Sequence, residues 1–156
     1  MTERLTEERV EQILKSCRKQ KFYVKALEET RAEILAQMVS VKGMNYDKPH
    51  VSTSAVSDIG AKVEAAQEKL HALDNKVADA LSMLAALRDD AMQAIELCDN
   101  NVQAAVLTDY YVLGYEWEEV AARTNYSWQG IYKIRLAAIG AIVKNSNGGC
   151  KEETVE

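Results

Sequence analysis

The sequence predicts an all-α protein: a long antiparallel helical hairpin of coiled-coil character, followed by a C-terminal group of short helices. Three observations carry this expectation. Apolar residues recur at alternating three- and four-residue spacing along two long stretches. A cluster of loop-forming residues separates those stretches. The 156 residues include one proline and seven glycines, so long helices can run without interruption.

The first helix is expected over about 6–41. Val10, Ile13, Cys17, Val24, Leu27, Ile34, Met38 and Val41 fall on one seam, which Gln20 and Arg31 interrupt. Thr6 followed by Glu7 and Glu8 makes a cap with acidic groups in the first turn, where the helix dipole favours them. Residues 42–55 then break the pattern with Gly43, Asn45, Asp47, Pro49 and a Ser/Thr cluster, and Lys48 is disfavoured from helix by the proline after it. This loop reads first as a linker, with Tyr46 and His50 as exposed contact candidates.

The second helix is expected over about 56–98. Val56, Ile59, Val63, Ala66, Leu70, Leu73, Val77, Ala80, Leu84, Leu87, Ala91, Ala94 and Cys98 hold the spacing without a break. At about 1.5 Å per residue such a helix runs roughly 60 Å. Leu81 and Ile95 lie beside the seam and widen it, as when more than one neighbour packs there. Two long helices joined by a short loop fold back most simply as a hairpin, and its self-association as a homodimer is the expected next step.

Asp99, Asn100 and Asn101 mark the junction into residues 102–144, which read as three short helices. Asn125-Tyr126-Ser127 forms a tight turn between the last two. Asn125 tolerates the left-handed conformation that ends a helix, and Ser127 can accept a hydrogen bond from the start of the next. Val120, Ala121, Ile131 and Ile134 are the inward residues of this pair, with Ala121 small enough for a close helix crossing. That is the outline of a helix-turn-helix, whose second helix often enters a DNA major groove. Seven of the ten aromatics lie between Tyr110 and Tyr132. Tyr110, Tyr111, Tyr115 and Trp117 are expected to fill the core of this domain. Trp128, Gln129, Tyr132 and Lys133 are expected on the exposed face of the last helix. Residues 145–156 read as a polar, disordered tail.

Charge is uneven along the chain. Residues 1–55 carry 10 basic and 8 acidic groups, residues 56–101 carry 4 and 9, and residues 102–144 carry four of each. A protein that holds DNA by charge alone shows a basic stripe, so DNA binding here must lean on dimerisation, partners or base contacts. The basic cluster Lys15, Arg18, Lys19, Lys21 and Lys25 is expected to lie against the acidic second helix. No apolar run approaches the roughly 18 residues of a membrane span, and a cytoplasmic location is expected. Cys17, Cys98 and Cys150 lack metal-ligand spacing, and His50 and His71 belong to no Cys/His/Asp cluster, so no metal site is expected. With no nucleophile–base arrangement and no phosphate loop, neither an enzyme nor a cofactor is expected.

Three pieces of the chain, YYVLGYEWEEVAART, NYSWQGIYKIRLAAI and VSVKGMNYDKPHVSTS, resemble small sigma-region-4-like proteins carried by phages and prophages of Gram-positive bacteria. The resemblance implies a transcriptional regulator in a bacterial host cell, with DNA and RNA polymerase as expected partners. By the same resemblance Ser127, Trp128, Gln129, Tyr132, Lys133 and Arg135 are the expected DNA-binding residues. Gln can bond adenine in a bidentate fashion, Lys can reach guanine or phosphate, and aromatics contact thymine methyls. The chain departs from the pattern at Thr124-Asn125, where an apolar residue and Gly are usual, and at Trp128 and Gly130. Two other readings stay open: a polymerase-binding adaptor with no DNA contact of its own, and a DNA-recognition or structural component of phage packaging.

Overall fold

Every element in the computed structural model is helical, and the structure describes residues 4–43 and 53–148. In chain order these are α1 (Glu7–Gly43), α2 (Thr53–Ile95), α3 (Asn101–Leu107), α4 (Trp117–Thr124) and α5 (Trp128–Gly148). No strand occurs among the described residues, and none of their helices is long and apolar enough to cross a membrane. The expectations for Tyr46, His50 and Cys150 lie outside the described residues.

The starts of these helices follow from their side chains. Thr6 Oγ1 accepts from the Arg9 amide at 3.2 Å, so the expected cap of α1 is present. Asn100 caps α3 by accepting from the Gln103 amide at 2.9 Å, and Gln103 returns the bond by accepting from Asp99 N. At α4 the Glu116 amide donates to Glu119 Oε2 at 3.1 Å, half of a capping box.

On α2 the apolar seam is followed position by position. Ile59, Val63, Ala66, Leu70, Leu73, Val77, Ala80, Leu84, Leu87, Ala91 and Ala94 are buried or half-buried, and every residue between them is exposed. On α1 the seam is Val10, Leu14, Cys17, Val24, Leu27, Ile34 and Met38, with Leu14 fully buried where Ile13 was expected and only half covered. Both residues are apolar, so the sequence pattern alone did not separate them.

The chain divides into two compact units, Met1–Phe22 with Met83–Glu156, and Tyr23–Ser82. The boundary falls within α1 and α2, not near residue 101 where the sequence placed it. The reason is a set of bonds from the start of α1 to residues far beyond 101. Arg18 bonds the Tyr110 carbonyl, Arg135 bonds Glu11, and Asn147 exchanges hydrogen bonds with the Leu5 backbone in both directions.

In the middle unit, Arg31 donates to Asp74, while Ile34 and Met38 share a cavity of about 350 Å³ with Val63, Ala66 and Lys69. Val24 and Ala80 are the only hydrophobic residues more than nine-tenths covered in this unit among those described. The composite unit holds the other buried side chains, from Val10, Leu14 and Cys17 through Leu84, Ala91 and Ile95 to Ile139 and Ile142.

Helix α5 is longer than the short helix expected and continues through Asn145 and Asn147, where a disordered tail was expected to begin. Asn145 Nδ2 donates to the Leu97 carbonyl at 2.7 Å and to Asp99 Oδ1 at 3.0 Å, and Asn147 holds Leu5. These tertiary bonds offset the modest helix propensity of asparagine.

Cys17 and Cys98 are unpaired thiols. Burial, with Asp99 adding to it, pushes Cys98 up to about 11, and burial raises Cys17 as well. Both are therefore protonated and unreactive at neutral pH.

Candidate nucleic-acid interface

A small apolar cluster of Val106 from α3, Val120 from α4 and Ile131 from α5 holds three helices together, each of the three side chains fully buried. Tyr110, Tyr115, Trp117, Ala121 and Ile134 pack around it partly covered. The four inward residues expected for the helix pair are thus all on the packed side. Tyr111 is the one fully buried aromatic among the described residues.

Between α3 and α4 the chain widens at Thr108–Val112 into a turn of π-helix, which the sequence pattern did not signal. The Leu113 amide donates to the Thr108 carbonyl at 2.9 Å, a five-residue span, and Tyr115 N reaches back to Asp109 O. Gly114 follows at φ +83°, a conformation that favours glycine, and its Cα faces the Lys21 stem. Asp109, nearly covered, accepts from Arg123 Nε at 3.3 Å, and the same guanidinium lies over the Tyr115 ring.

Asn125 ends α4 at φ 59°, ψ 28°, in the left-handed region expected of it. Ser127 Oγ accepts from the Gly130 amide at 3.1 Å, which makes it the cap of α5. Asn125→Gly should leave stability within a few tenths of a kcal/mol, whereas Asn125→Val should cost about 1 kcal/mol or more, because a β-branched residue resists positive φ. Thermal melts of the two variants check this; equal melting temperatures would show that the turn relaxes without cost.

The first two turns of α5 present Trp128, Gln129, Tyr132 and Lys133 side by side on its exposed surface, where they line one shallow depression. Trp128 is 60% and Tyr132 54% exposed. Gly130 lies under this turn, with its Cα facing Ser127 and Tyr126, where an added Cβ would sit 3.3 Å from Ser127 Oγ. That close approach accounts for a glycine which would otherwise cost the helix about 1 kcal/mol relative to alanine.

Arg135 does not join those four. Its Nε donates to the Tyr111 hydroxyl at 3.0 Å and its Nη2 to Glu11 at 3.4 Å, with the side chain largely covered. Burial works against its charge, but these partners outweigh burial and hold its pKa above the usual arginine value. It therefore braces α5 against α1, in place of the expected phosphate contact.

The basic cluster on α1 also departs from expectation. Arg18 donates to the Tyr110 carbonyl at 2.6 Å, the Tyr115 carbonyl at 3.1 Å and Glu116 at 3.0 Å. Its guanidinium is stacked on Tyr110 at 3.9 Å and lies 4.7 Å from the centre of Phe22. Lys21 donates to the Val112 carbonyl at 3.1 Å. These cations satisfy carbonyls freed by the π turn and the loop after it, not the carboxylates of α2. His71 is exposed on α2, and no cluster able to hold a metal ion occurs among the described residues.

No family model, curated protein or solved structure matches this chain.

Proposed function

We propose that the protein is a DNA-binding transcriptional regulator of phage type, with α4 and α5 as a helix-turn-helix and α5 as its recognition helix. The observation that carries this reading is the four-residue face of Trp128, Gln129, Tyr132 and Lys133. These side chains stand together at the N-terminal end of α5, the part of a recognition helix that meets base edges. The opposite side of the helix is anchored by Ile131, Ala138 and Ile142, so the face is held rigidly.

With Arg135 engaged internally, Lys133 is the one cation of the four-residue face. Phosphate attraction from α5 alone is therefore weak, which supports binding as a dimer. The half-covered seam of α1 and α2 suits an antiparallel hairpin that pairs with a second copy along the helical region. The exposed Leu35, Val39 and Leu81 supply further apolar surface there. Leu73→Asp should split that dimer, measured by sedimentation. An unchanged sedimentation profile and melting temperature would show that the seam is not a buried contact.

The direct test is selection of DNA sites from a random duplex pool, followed by binding of variants. Gln129→Ala should cost about 1–3 kcal/mol on the preferred site and relax preference at one base pair. Lys133→Ala, if its contact is to phosphate, should weaken all sequences alike and flatten the salt dependence by about 0.9. A second reading, an RNA-polymerase-binding adaptor, is favoured by the exposed apolar stripe of Trp128, Tyr132 and Leu136. Variants that bind duplex like the parent but lose polymerase in a pull-down would establish the adaptor in place of the DNA reader.

A further inference from the structure

A second hollow, of about 520 Å³, opens between residues 15–22 of α1 and the aromatic residues of the C-terminal helices. Its volume falls within the range of small-ligand sites, roughly 300–1,000 Å³. Six of its lining side chains are aromatic: Phe22, Tyr110, Tyr111, Trp117, Trp128 and Tyr132. The other lining residues are Ile131 and four cations, Lys15, Arg18, Lys19 and Arg135, and no carboxylate lines it.

The rings are ordered, not merely collected. Trp117 stacks on Tyr110 at 3.7 Å and 8°, Arg18 covers the Tyr110 ring, and Phe22 lies beyond Arg18. Trp128 leans toward Trp117 with centroids 6.4 Å apart. Arg18 and Arg135 are bonded within the fold and paired with Glu116 and Glu11, so they shape the wall. Lys15 and Lys19 are exposed at the rim, where Lys15 makes a long contact of 3.5 Å to Glu11. Phe22, Trp128 and Tyr132 remain 40–60% exposed around the mouth. Large rings left open to water beside the exposed Lys15 and Lys19 suit a flat, anionic ligand.

We propose that this hollow binds a nucleotide unit, its base stacked on the open rings of Phe22, Trp128 and Tyr132 around the mouth and its phosphate held by Lys15 and Lys19. Flat faces beside exposed lysines are the composition of sites for single-stranded nucleic acid, where stacking tolerates any base and lysines follow the backbone. The unit can come from a free nucleotide or from an unpaired strand. The hollow shares Trp128 and Tyr132 with the proposed duplex-reading face, but Gln129 and Lys133 do not line it, so variants at those two positions and at Phe22, Lys15 and Lys19 separate the two activities.

The test uses the full chain, with ATP and a short oligothymidine strand as probes and Trp117 and Trp128 fluorescence as the signal. Saturable quenching is expected. Phe22→Ala should weaken it by roughly five- to a hundredfold, the loss of one stacked base. The double variant Lys15→Glu, Lys19→Glu should weaken it about tenfold or more and flatten its salt dependence, by about 0.7 per phosphate contact for a single strand. Both lysines are exposed, so that variant keeps its fold, and an unchanged thermal melt checks it. Lys133→Ala should leave quenching alone while it weakens duplex binding, and the Phe22 and lysine variants should do the reverse.

Tighter binding of oligothymidine than of ATP assigns the site to an unpaired strand, and equal or tighter binding of ATP assigns it to a free nucleotide. Absence of saturable quenching by either probe overturns the proposal. So does quenching that the lysine variant does not move, and so does a glutamate-rich amphipathic peptide that saturates the signal where both nucleotides fail.

Discussion

Ile131→Asp is expected to unfold the helices that carry the proposed recognition face at ambient temperature. Ile131 has no solvent exposure, and with Val106 and Val120 it forms the buried centre that joins α3, α4 and α5. A carboxylate there has no cation within the cluster, and an unpaired buried charge costs several kcal/mol even after it takes up a proton. A domain is stable by only about 5–15 kcal/mol, so one such change removes a large part of the margin. Circular dichroism should show a loss of helix, and DNA binding should disappear with it. Ile131→Val, which removes one methylene, should cost about 0.5–1.5 kcal/mol and keep function. A cooperative melt of the aspartate variant near that of the parent would show that the cluster is not the centre of this fold.

Arg18→Met is expected to give the largest loss of stability from any change on the polar side of α1. Methionine preserves much of the side-chain volume but removes the donors to the Tyr110 and Tyr115 carbonyls, and with them the cation stacked on Tyr110. Hydrogen bonds to a charged group contribute about 1.5–3 kcal/mol each, and the carbonyls left behind are partly buried. The combined loss should be about 3 kcal/mol, which lowers Tm by roughly 10 °C or more in a unit of this size. Glu116→Gln gives the contrast. Glu116 also bonds Arg18, but its side chain is 63% exposed, so its loss should cost less than about 1 kcal/mol. Equal costs in the two variants would assign the stabilisation to the surface ion pair and not to the carbonyls.

The parts of this fold that were legible in the sequence are those decided within a few residues. The seam of α2 was legible because its 3-4 spacing never breaks, and each expected position from Ile59 to Ala94 is covered. The Asn125 turn and the Ser127 cap were legible because both follow from the chemistry of one side chain acting on its own backbone. What escaped was settled by partners distant along the chain. Arg135 carries the residue type of a phosphate contact, yet Tyr111 is 24 positions away and Glu11 is 124. Asn145 looked like the start of a tail because its acceptors, Leu97 and Asp99, belong to the end of α2 and the residues after it. The aromatic and cationic hollow was hidden for the same reason: Lys15, Lys19 and Phe22 lie about 90 residues or more before the other aromatics that face them.

The composite unit draws one flank from the first residues of the chain and the rest from positions after 82. During synthesis, Val10, Leu14 and Cys17 leave the ribosome long before Ile131, Ile139 and Ile142 exist to share their core. The middle unit, contiguous from Tyr23 to Ser82, can close as soon as it has emerged. The apolar stretch of α1 in this unit is therefore made well before the later part of its unit, an interval in which nascent chains are open to chaperones and to misassociation. A stop codon or proteolytic cut just before α5 removes more than the proposed recognition helix: it takes away Ile131, Ala138, Ile139, Ala141 and Ile142 from the buried core of the unit and the bonds from Arg135 and Asn147 to Glu11 and Leu5, and the shortened product should aggregate instead of persisting as a stable fragment.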